Sequence, residues 1–127
     1  MTVWTNDELN QIGTALELKI ASLRRDGTLR NPVIIWVVRL GDDLYVRAVK
    51  GRGGWFRGVQ TRHEGHIQAG GVDKDVLFVE ESAPELNEQI DAAYRAKYGR
   101  RYPASVASIN SPIARTATIR LVPQDNR

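Results

Sequence analysis

The feature that most constrains the fold is an uninterrupted apolar run over residues 33–38, with the sequence VIIWVV. Five of its six residues are β-branched, which favours a strand, and the lack of polar residues indicates that both strand faces are covered. Pro32 precedes the run, where its missing N–H removes no interior ladder hydrogen bond. The run is therefore predicted to be the central strand of a sheet.

A hairpin is predicted directly after this strand. Gly41, Asp42 and Asp43 reverse the chain, and residues 44–49 return with alternating apolar side chains. The segment that follows, residues 50–54, holds three glycines among five residues. Because glycine permits a positive φ, this loop can bring backbone N–H groups close to a ligand.

A helix and a strand are predicted before the apolar run. Thr5 and Glu8 have the spacing of a capping box, and the apolar periodicity that follows predicts a helix over about residues 6–15. Large apolar residues at 16, 18 and 20 alternate with Glu17, Lys19 and Ala21, which predicts the first strand. An Asp-Gly pair at positions 26 and 27 favours the turn after it.

The clearest helix follows the hairpin. Apolar residues recur at helical spacing from Leu86 to Tyr98, Ser82 and Glu85 have capping-box spacing, and Gly99 is expected to end the helix. The other predicted elements are strands over residues 66–69, 75–80 and 117–121, a loop over residues 100–112, and a frayed end over residues 124–127.

These elements predict the fold class. Five or six strands, with a helix at the start and a helix before the last strand, indicate an α+β fold dominated by antiparallel pairing. A small barrel is the natural closure of such a sheet. At 127 residues the chain is expected to be one domain.

Positive charge is concentrated in the first half of the chain. Between Lys19 and Arg62 there are ten Lys or Arg and three Asp, a local charge of +7, so the rest of the chain carries −4 of the net +3. Such segregation indicates an anionic partner, which can be a phosphate-bearing ligand, a nucleic acid or an acidic protein surface. The alternative is a solvated basic face.

Several classes of function are excluded or disfavoured. The chain has no cysteine, so it has neither disulfides nor thiolate chemistry. No nucleophile-elbow, Walker A or Rossmann motif is present. His63 and His66 are expected to have structural or surface roles, and no metal site is predicted. The sequence has no signal-peptide pattern and no apolar run of transmembrane length, so a cytoplasmic location and no membrane partner are expected.

The remaining candidate site is an anion clamp beside an aromatic plate. Arg25 and Arg30 flank the Asp-Gly turn, and Lys50 and Arg52 lie on the glycine-rich loop one hairpin later. Trp55 offers a flat apolar surface beside that charge, and the combination suits a nucleotide-like cofactor. The alternative is that Trp55 belongs to the core, the glycines serve only the turn, and the arginines are solvated.

At these residues the sequence resembles the flavin-binding split-barrel superfamily, which includes pyridoxamine-phosphate-oxidase-like and deazaflavin-dependent nitroreductase-like proteins. The motifs that carry the resemblance are the turn LRRDGTLRNP over residues 23–32, the hairpin turn, and VKGRGG over residues 49–54 followed by Trp55 and Phe56. Within the superfamily the chain is most like the deazaflavin-dependent branch, with a closer match to a small bacterial family of unassigned function that covers nearly the whole chain.

The resemblance implies that two chains pair and that FMN or a deazaflavin coenzyme lies in a groove between them. It also implies a role for seven residues: phosphate binding by Arg25, Arg30, Lys50 and Arg52, backbone contacts by Val49 and Gly51, and a pocket wall at Trp55.

The sequence departs from the family pattern at two places. Val49 replaces a residue that often carries a hydroxyl group, and Arg57-Gly58 replaces an Asn-Leu pair. The departures point to an altered choice of cofactor or to its loss.

The leading hypothesis is a homodimeric flavin- or deazaflavin-dependent oxidoreductase acting on a small substrate. The alternatives are a cofactor-free module that binds nucleic acid or an acidic protein, with nucleic acid disfavoured because aromatic residues do not alternate with the basic ones, and a purely structural dimer.

Overall fold

The computed structural model describes residues 3–124. Helix α1 (Asn6–Thr14) opens this range with the predicted capping box, in which the Thr5 hydroxyl accepts a hydrogen bond from the Glu8 N–H and the Glu8 carboxylate accepts one from the Thr5 N–H. The strands are β1 (Leu18–Ser22), β2 (Val33–Ile35), β3 (Val38–Leu40), β4 (Asp43–Arg47), β5 (Glu64–Ala69), β6 (Val72–Glu80) and β7 (Thr118–Pro123). The other helices are α2 (Trp55–Arg62), α3 (Pro84–Tyr98), α4 (Pro103–Ile109) and α5 (Pro112–Arg115).

The sheet is rolled into an incompletely closed barrel. Its seven strands pair antiparallel in the order β2-β1-β5-β6-β7-β4-β3. Strands β2 and β3 are thus the two edges, although only Trp36 and Val37 separate them in sequence. Because successive Cα atoms lie about 3.8 Å apart, the edges are within roughly 11 Å of each other at this crossing. The predicted α+β split barrel is therefore confirmed.

The prediction that residues 33–38 form one central strand is wrong. The run is divided into the two edge strands, and Ile34 is 56% exposed. Its apolar character has a different cause, because the run crosses between two separate cores. Val37 packs into the barrel interior, whereas Val38 packs into a second cluster beneath α3.

Three helices were not predicted, and one predicted cap is wrong. Helix α2 begins at the Trp55-Phe56 pair, where no helix was predicted, and α4 and α5 occupy most of the predicted loop over residues 100–112. Both α4 and α5 begin at a proline, which tolerates the first helical turn because its missing N–H is not needed there. Helix α3 ends at Tyr98 as predicted, but Ala83 caps it without a side-chain hydrogen bond, so the Ser82–Glu85 capping box does not form.

The sequence also predicted a frayed C-terminal end and no membrane-spanning segment. Of the predicted frayed end, residues 125–127 lie outside the described residues, and the Gln124 N–H donates to the Asp75 carbonyl at 3.0 Å. Within residues 3–124, no helix combines the length and the apolar character needed to span a bilayer.

The crossing between the two edge strands is fixed by the end of α3. The Trp36 ring stacks on Tyr98 with centroids 3.9 Å apart and planes 1° from parallel. The Val37 carbonyl accepts hydrogen bonds from Lys97 Nζ at 2.7 Å and from the Tyr98 hydroxyl at 3.2 Å. Burial lowers the pKa of Lys97 to about 8. These contacts hold Trp36 in one orientation at the barrel split.

A buried arginine joins the helices to the barrel. The Arg47 side chain is fully buried and pairs with Asp91 of α3, which in turn pairs with Arg115 at the end of α5. The remaining Arg47 N–H groups donate to the Thr118 hydroxyl, the Asn87 side chain and carbonyl, the Asn110 side chain and the Ile109 carbonyl. Strand β4 is thereby tied to β7, to α3 and to the end of α4.

Asp91→Ala is expected to lower the free energy of unfolding by about 3–5 kcal/mol, because it leaves the buried Arg47 charge without its partner. Urea denaturation followed by circular dichroism measures the change. Glu88→Ala is the matched control, since Glu88 lies on the same helix and is exposed, and its effect should stay within about 0.5 kcal/mol. Equal losses for the two variants would contradict a central role for the buried pair.

A second prediction concerns the hairpin of β5 and β6, where His66 pairs with Asp75 at 2.8 Å and also contacts Asp73. Burial disfavours the imidazolium, but the hydrogen bonds and charges of the two carboxylates outweigh it and raise the pKa of His66. Because the folded-state pKa lies above the unfolded value of about 6.5, this contribution to stability is complete below that value and is lost as the pH rises through the folded pKa.

Asp75→Asn should therefore lower the pKa of His66 in an NMR titration and reduce the loss of unfolding free energy between about pH 6 and pH 8. Asp42→Asn is the control, because Asp42 is exposed in the β3–β4 turn. If the control moved the His66 titration as far as Asp75→Asn did, the carboxylate contact would not be the cause of the raised pKa.

Candidate functional site

The main cavity lies at the barrel split, between two tryptophans, and we call it the indole cavity. Its volume is about 720 Å³, within the range of small-molecule sites. Trp36 contributes to one wall and Trp55 to another. The remaining wall residues are 33–35 of β2, residues 47–50 at the end of β4, Gly53, Gly54, and Ser105 and Ile109 of α4.

A smaller cavity of about 300 Å³ adjoins the first, and we call it the arginine cavity. Val33 and Trp55 line both cavities, so the two spaces are neighbours on either side of these side chains. The other residues that line the arginine cavity are Ile20, Ser22, Arg24, Arg30, Asn31 and Val59.

The glycine-rich loop shapes the edge of the indole cavity. Gly51 has a φ of +85°, a conformation that strains any residue with a side chain, and a Cβ there would lie 2.7 Å from Ile113 Cγ2 and displace it. Gly54 has a φ of +58° and precedes α2 without a side-chain cap. These two glycines turn the chain so that Lys50 and Trp55 both reach the cavity.

The structure brings together four of the seven residues predicted from sequence. Val49, Lys50 and Trp55 line the indole cavity, and Arg30 lines the arginine cavity. Gly51 lies against Ile113 and is not among the residues that line the two cavities.

The other two predicted residues lie elsewhere. Arg25 lies in the exposed turn before β2. Arg52 donates to the Thr116 carbonyl at 3.1 Å, pairs with Glu80 at 3.5 Å and lies over the Phe56 ring. Neither residue is among those that line the two cavities, and their roles in cofactor binding stay predictions.

Sequence reasoning missed several cavity residues. Trp36 was assigned to the core because it lies within the apolar run, and no local pattern indicates that the run is split there. Ser105 was missed because its helix was predicted to be a loop. Ser22 and Arg24 were within reach of sequence reasoning, since Ser22 lies just before the turn that carries Arg30 and Arg24 lies within it.

The electrostatics of the indole cavity depend on Lys50. Arg47 also lines the cavity, but its charge is paired with Asp91 and its donors are directed into the protein. Lys50 is exposed at the cavity. Among the described residues that line the cavity, none is acidic. The site therefore combines apolar and aromatic walls with one accessible positive charge.

The basic segment of the sequence is not one continuous surface. Arg47 is buried, Arg39 donates to Asn10 and to the Gly41 carbonyl, and Arg62 pairs with Glu64. His63 pairs with Glu80 at the surface. Much of the local charge of +7 thus serves internal contacts. Of the exposed cations, Arg24 and Lys50 line the two cavities, whereas Lys19, Arg25 and Arg57 do not.

Comparisons with known proteins identify the fold. No curated protein matches the chain. A crystal structure of a candidate pyridoxamine 5′-phosphate oxidase from Listeria innocua matches with a TM-score of 0.67 and 15% identity, covering 96% of this chain and 94% of that one. The heme storage protein HutZ of Vibrio cholerae matches with a TM-score of 0.65 and 14% identity, covering 98% and 93% of the two chains. A FAD-binding protein of Mesorhizobium loti matches with a TM-score of 0.60 and 14% identity, covering 98% and 93%.

At these identities the neighbours establish the split-barrel fold. The family model described as "uncharacterized protein conserved in bacteria (DUF2255)" matches residues 8–121. The chain therefore belongs to the DUF2255 family and has the fold of the pyridoxamine-oxidase-like split barrels.

Proposed function

We propose that this protein binds a flavin or a deazaflavin in the indole cavity, that two copies pair around it, and that it acts as an oxidoreductase on a small substrate. The observation that carries the proposal is the indole cavity itself. Trp36 and Trp55 provide aromatic walls, and Lys50 provides an accessible positive charge. An isoalloxazine-type ring with a phosphate-bearing side chain matches this combination of surfaces.

The residues present fit such a group in size and in chemistry. A volume of about 720 Å³ is ample for a tricyclic ring system. The Trp36 ring is held by its stack on Tyr98, so it presents a fixed face and loses little freedom when a planar ligand packs on it. Lys50 would hold the phosphate, and the backbone of Val49 would complete the contact. The Gly51 N–H already donates to the Ala48 carbonyl at 3.0 Å, so it is not free for the cofactor.

A bound flavin supplies the hydride or electron chemistry, so no acid, base or nucleophile of the chain has to perform it. The chain binds and orients the ring through its aromatic walls. The apolar residues of β2 exclude water from one side of the cavity, while Ile109 of α4 contributes to another side. Paired Arg47 forms a rigid part of the wall.

The side chains that line the indole cavity favour a flavin over a heme for this chain. One neighbour is a FAD-binding protein and another stores heme. A heme iron needs an axial ligand such as histidine, cysteine, methionine or tyrosine. Among the described residues that line the indole cavity there is no such side chain, and His63 and His66 are engaged with carboxylates elsewhere.

The proposal is tested by titrating the purified protein with FMN, FAD and a reduced deazaflavin while visible absorbance and tryptophan fluorescence are followed. Lys50→Ala is expected to weaken binding about 10- to 150-fold, because one charged hydrogen bond contributes about 1.5–3 kcal/mol. Arg57→Ala is the matched control, since Arg57 is an exposed cation of α2 outside both cavities. The absence of binding at tens of micromolar by every cofactor would refute the proposal.

Pairing of two copies is proposed from the apolar surface around the cavity. Ile34 is 56% exposed, Val49 is 48% exposed, and Ile113, which packs on the glycine-rich loop, is 63% exposed. Burying such side chains contributes roughly 25 cal/mol per Å² of apolar surface removed from water. A second copy would cover this surface and the open side of the cavity together.

Ile34→Glu is accordingly expected to shift the protein from dimer to monomer in sedimentation velocity, because it places a charge in the proposed interface. Leu77→Glu is the control, since Leu77 is 39% exposed on β6 and does not line either cavity. If the wild-type protein stayed monomeric at about 100 µM, a concentration far above the dissociation constants of tight dimers, the proposed pairing would be refuted.

A further inference from the structure

We propose that a cavity on the outer side of strands β6 and β7 binds a small organic cation, an ammonium ion attached to an apolar body. The cavity lies between these strands, the start of α1 and the β3–β4 turn, and we call it the acidic cavity. Among the described residues it shares no wall residue with the indole cavity or the arginine cavity. The inference therefore does not rest on the proposed flavin-type function.

The outer side of β6 and β7 carries apolar residues where a solvent-facing strand normally carries polar ones. Leu77 pairs with Val122 and Val79 pairs with Arg120, which places these side chains on one face of the sheet. The opposite face, which includes Phe78, belongs to the barrel core. Leu77, Val79 and Val122 line the acidic cavity, and Leu77 is 39% exposed. They form an apolar surface that a ligand can cover.

The acidic cavity has the size of a small-molecule site and fixed walls. Its volume is about 630 Å³, close to the 720 Å³ of the indole cavity and within the range of ligand pockets. Trp4 is part of the wall, and its Nε1 donates to the Leu121 carbonyl at 3.0 Å. Arg39 ties the β3–β4 turn to α1 by donating to the Gly41 carbonyl at 2.8 Å and to Asn10 Oδ1 at 2.7 Å. The cavity is therefore formed without a ligand.

Two aspartates give the cavity its charge. Asp42 and Asp43 are consecutive at the β3–β4 turn, and both line the cavity. Neither carboxylate forms an ion pair within residues 3–124. Arg120 also lines the cavity, but its guanidinium is paired with Glu81 at 3.2 Å. The cavity thus has an excess of negative charge in a chain whose net charge is +3.

The pKa of Tyr45 reports the same charge. Tyr45 is buried two residues after Asp43 on β4. Burial raises the pKa of Tyr45, the carboxylates of Asp43 and Glu81 raise it further, and Arg120 acts in the opposite direction and more weakly. The acidic groups at this end of β4 therefore outweigh the arginine.

Strand β4 connects two cavities of opposite charge. Asp43, its first residue, lines the acidic cavity, and Arg47, its last, lines the indole cavity beside the exposed Lys50. At about 3.3 Å per residue, the ends of the strand lie roughly 13 Å apart. A charged ligand that is attracted to one cavity is disfavoured in the other, so the acidic cavity takes a ligand of its own.

These features define the ligand class. The carboxylates disfavour an anion and favour an ammonium group, which can donate charge-assisted hydrogen bonds to them. The apolar wall favours a hydrocarbon or aromatic body, since a fully hydrated cation gains nothing from it. Within residues 3–124, no three acidic or histidine side chains are grouped to hold a metal ion. An amine with an apolar body satisfies both parts of the wall.

Three probes with one phenyl body and different charges test the proposal: 2-phenylethylamine, 2-phenylethanol and 3-phenylpropanoate. Binding is followed by NMR through the methyl signals of Leu77, Val79 and Val122 in the full chain. We expect saturable shifts with the amine, an affinity for the alcohol weaker by about tenfold, as for one charge-assisted hydrogen bond, and no saturable shift with the carboxylate. Equal affinities for the amine and the alcohol would overturn the proposal.

Asp43→Asn should weaken amine binding by about tenfold and leave the affinity for the alcohol unchanged, because it removes charge but little volume. Asp7→Asn is the matched control, since Asp7 is an exposed carboxylate of α1 next to Asn6 and does not line the cavity. If both variants weakened amine binding equally, the attraction would come from the general surface charge and the site would be excluded.

Two results on the wild-type protein or its assembly would also overturn the inference. The first is the absence of saturable methyl shifts with the amine at about 20 mM, a concentration suited to fragments of this size. The second is a dimer that Leu77→Glu dissociates and Ile34→Glu does not, because a second copy would then cover the acidic cavity. Amine binding in a protein that binds no flavin would support this inference and refute the proposed function.

Discussion

The buried pair of Arg47 and Asp91 is the interaction on which the rest of the site depends. Removing two charges from water is costly, and the cost is offset here because Arg47 is surrounded by acceptors from β7, α3 and the segment after α4. The same residue lines the indole cavity. Ile109 and Ser105 also line this cavity, and their helix is held by the hydrogen bonds from Arg47 to the Ile109 carbonyl and the Asn110 side chain.

The split of the barrel is the second constraint, and it explains why a cavity exists at that place. Two edges of one sheet meet at Trp36 and Val37 without forming a ladder between them. The unpaired edges are covered instead by the end of α3, through the stack on Tyr98 and the hydrogen bonds to the Val37 carbonyl. Ile34 and Trp36 line the cavity at this split.

The sequence predicted those parts of the fold that depend on local pattern. Periodicity located α1, α3, the β3–β4 hairpin and the later strands, because each has one buried face. It failed at residues 33–38, since a run that is apolar on all sides does not show that it passes between two cores. The burial of Arg47 depends on partners 40 or more residues away, so a charge count cannot distinguish it from Lys50. In the same way, only the fold shows that Arg52 reaches Glu80 while Arg30 reaches a cavity.

Helix α2 shows how the stability of an element and the geometry of a site are linked. An eight-residue helix without a side-chain cap is marginal by itself, and a glycine in its interior costs a further 0.5–1 kcal/mol or so relative to alanine. Phe56 and Val59 are fully buried, so tertiary packing holds the helix in place. Gly58 lies between them, where any side chain would collide with Ser22 and Arg30. The lost helix propensity is thus the direct consequence of bringing strand β1, the arginine turn and Trp55 to one point, and that convergence creates the arginine cavity.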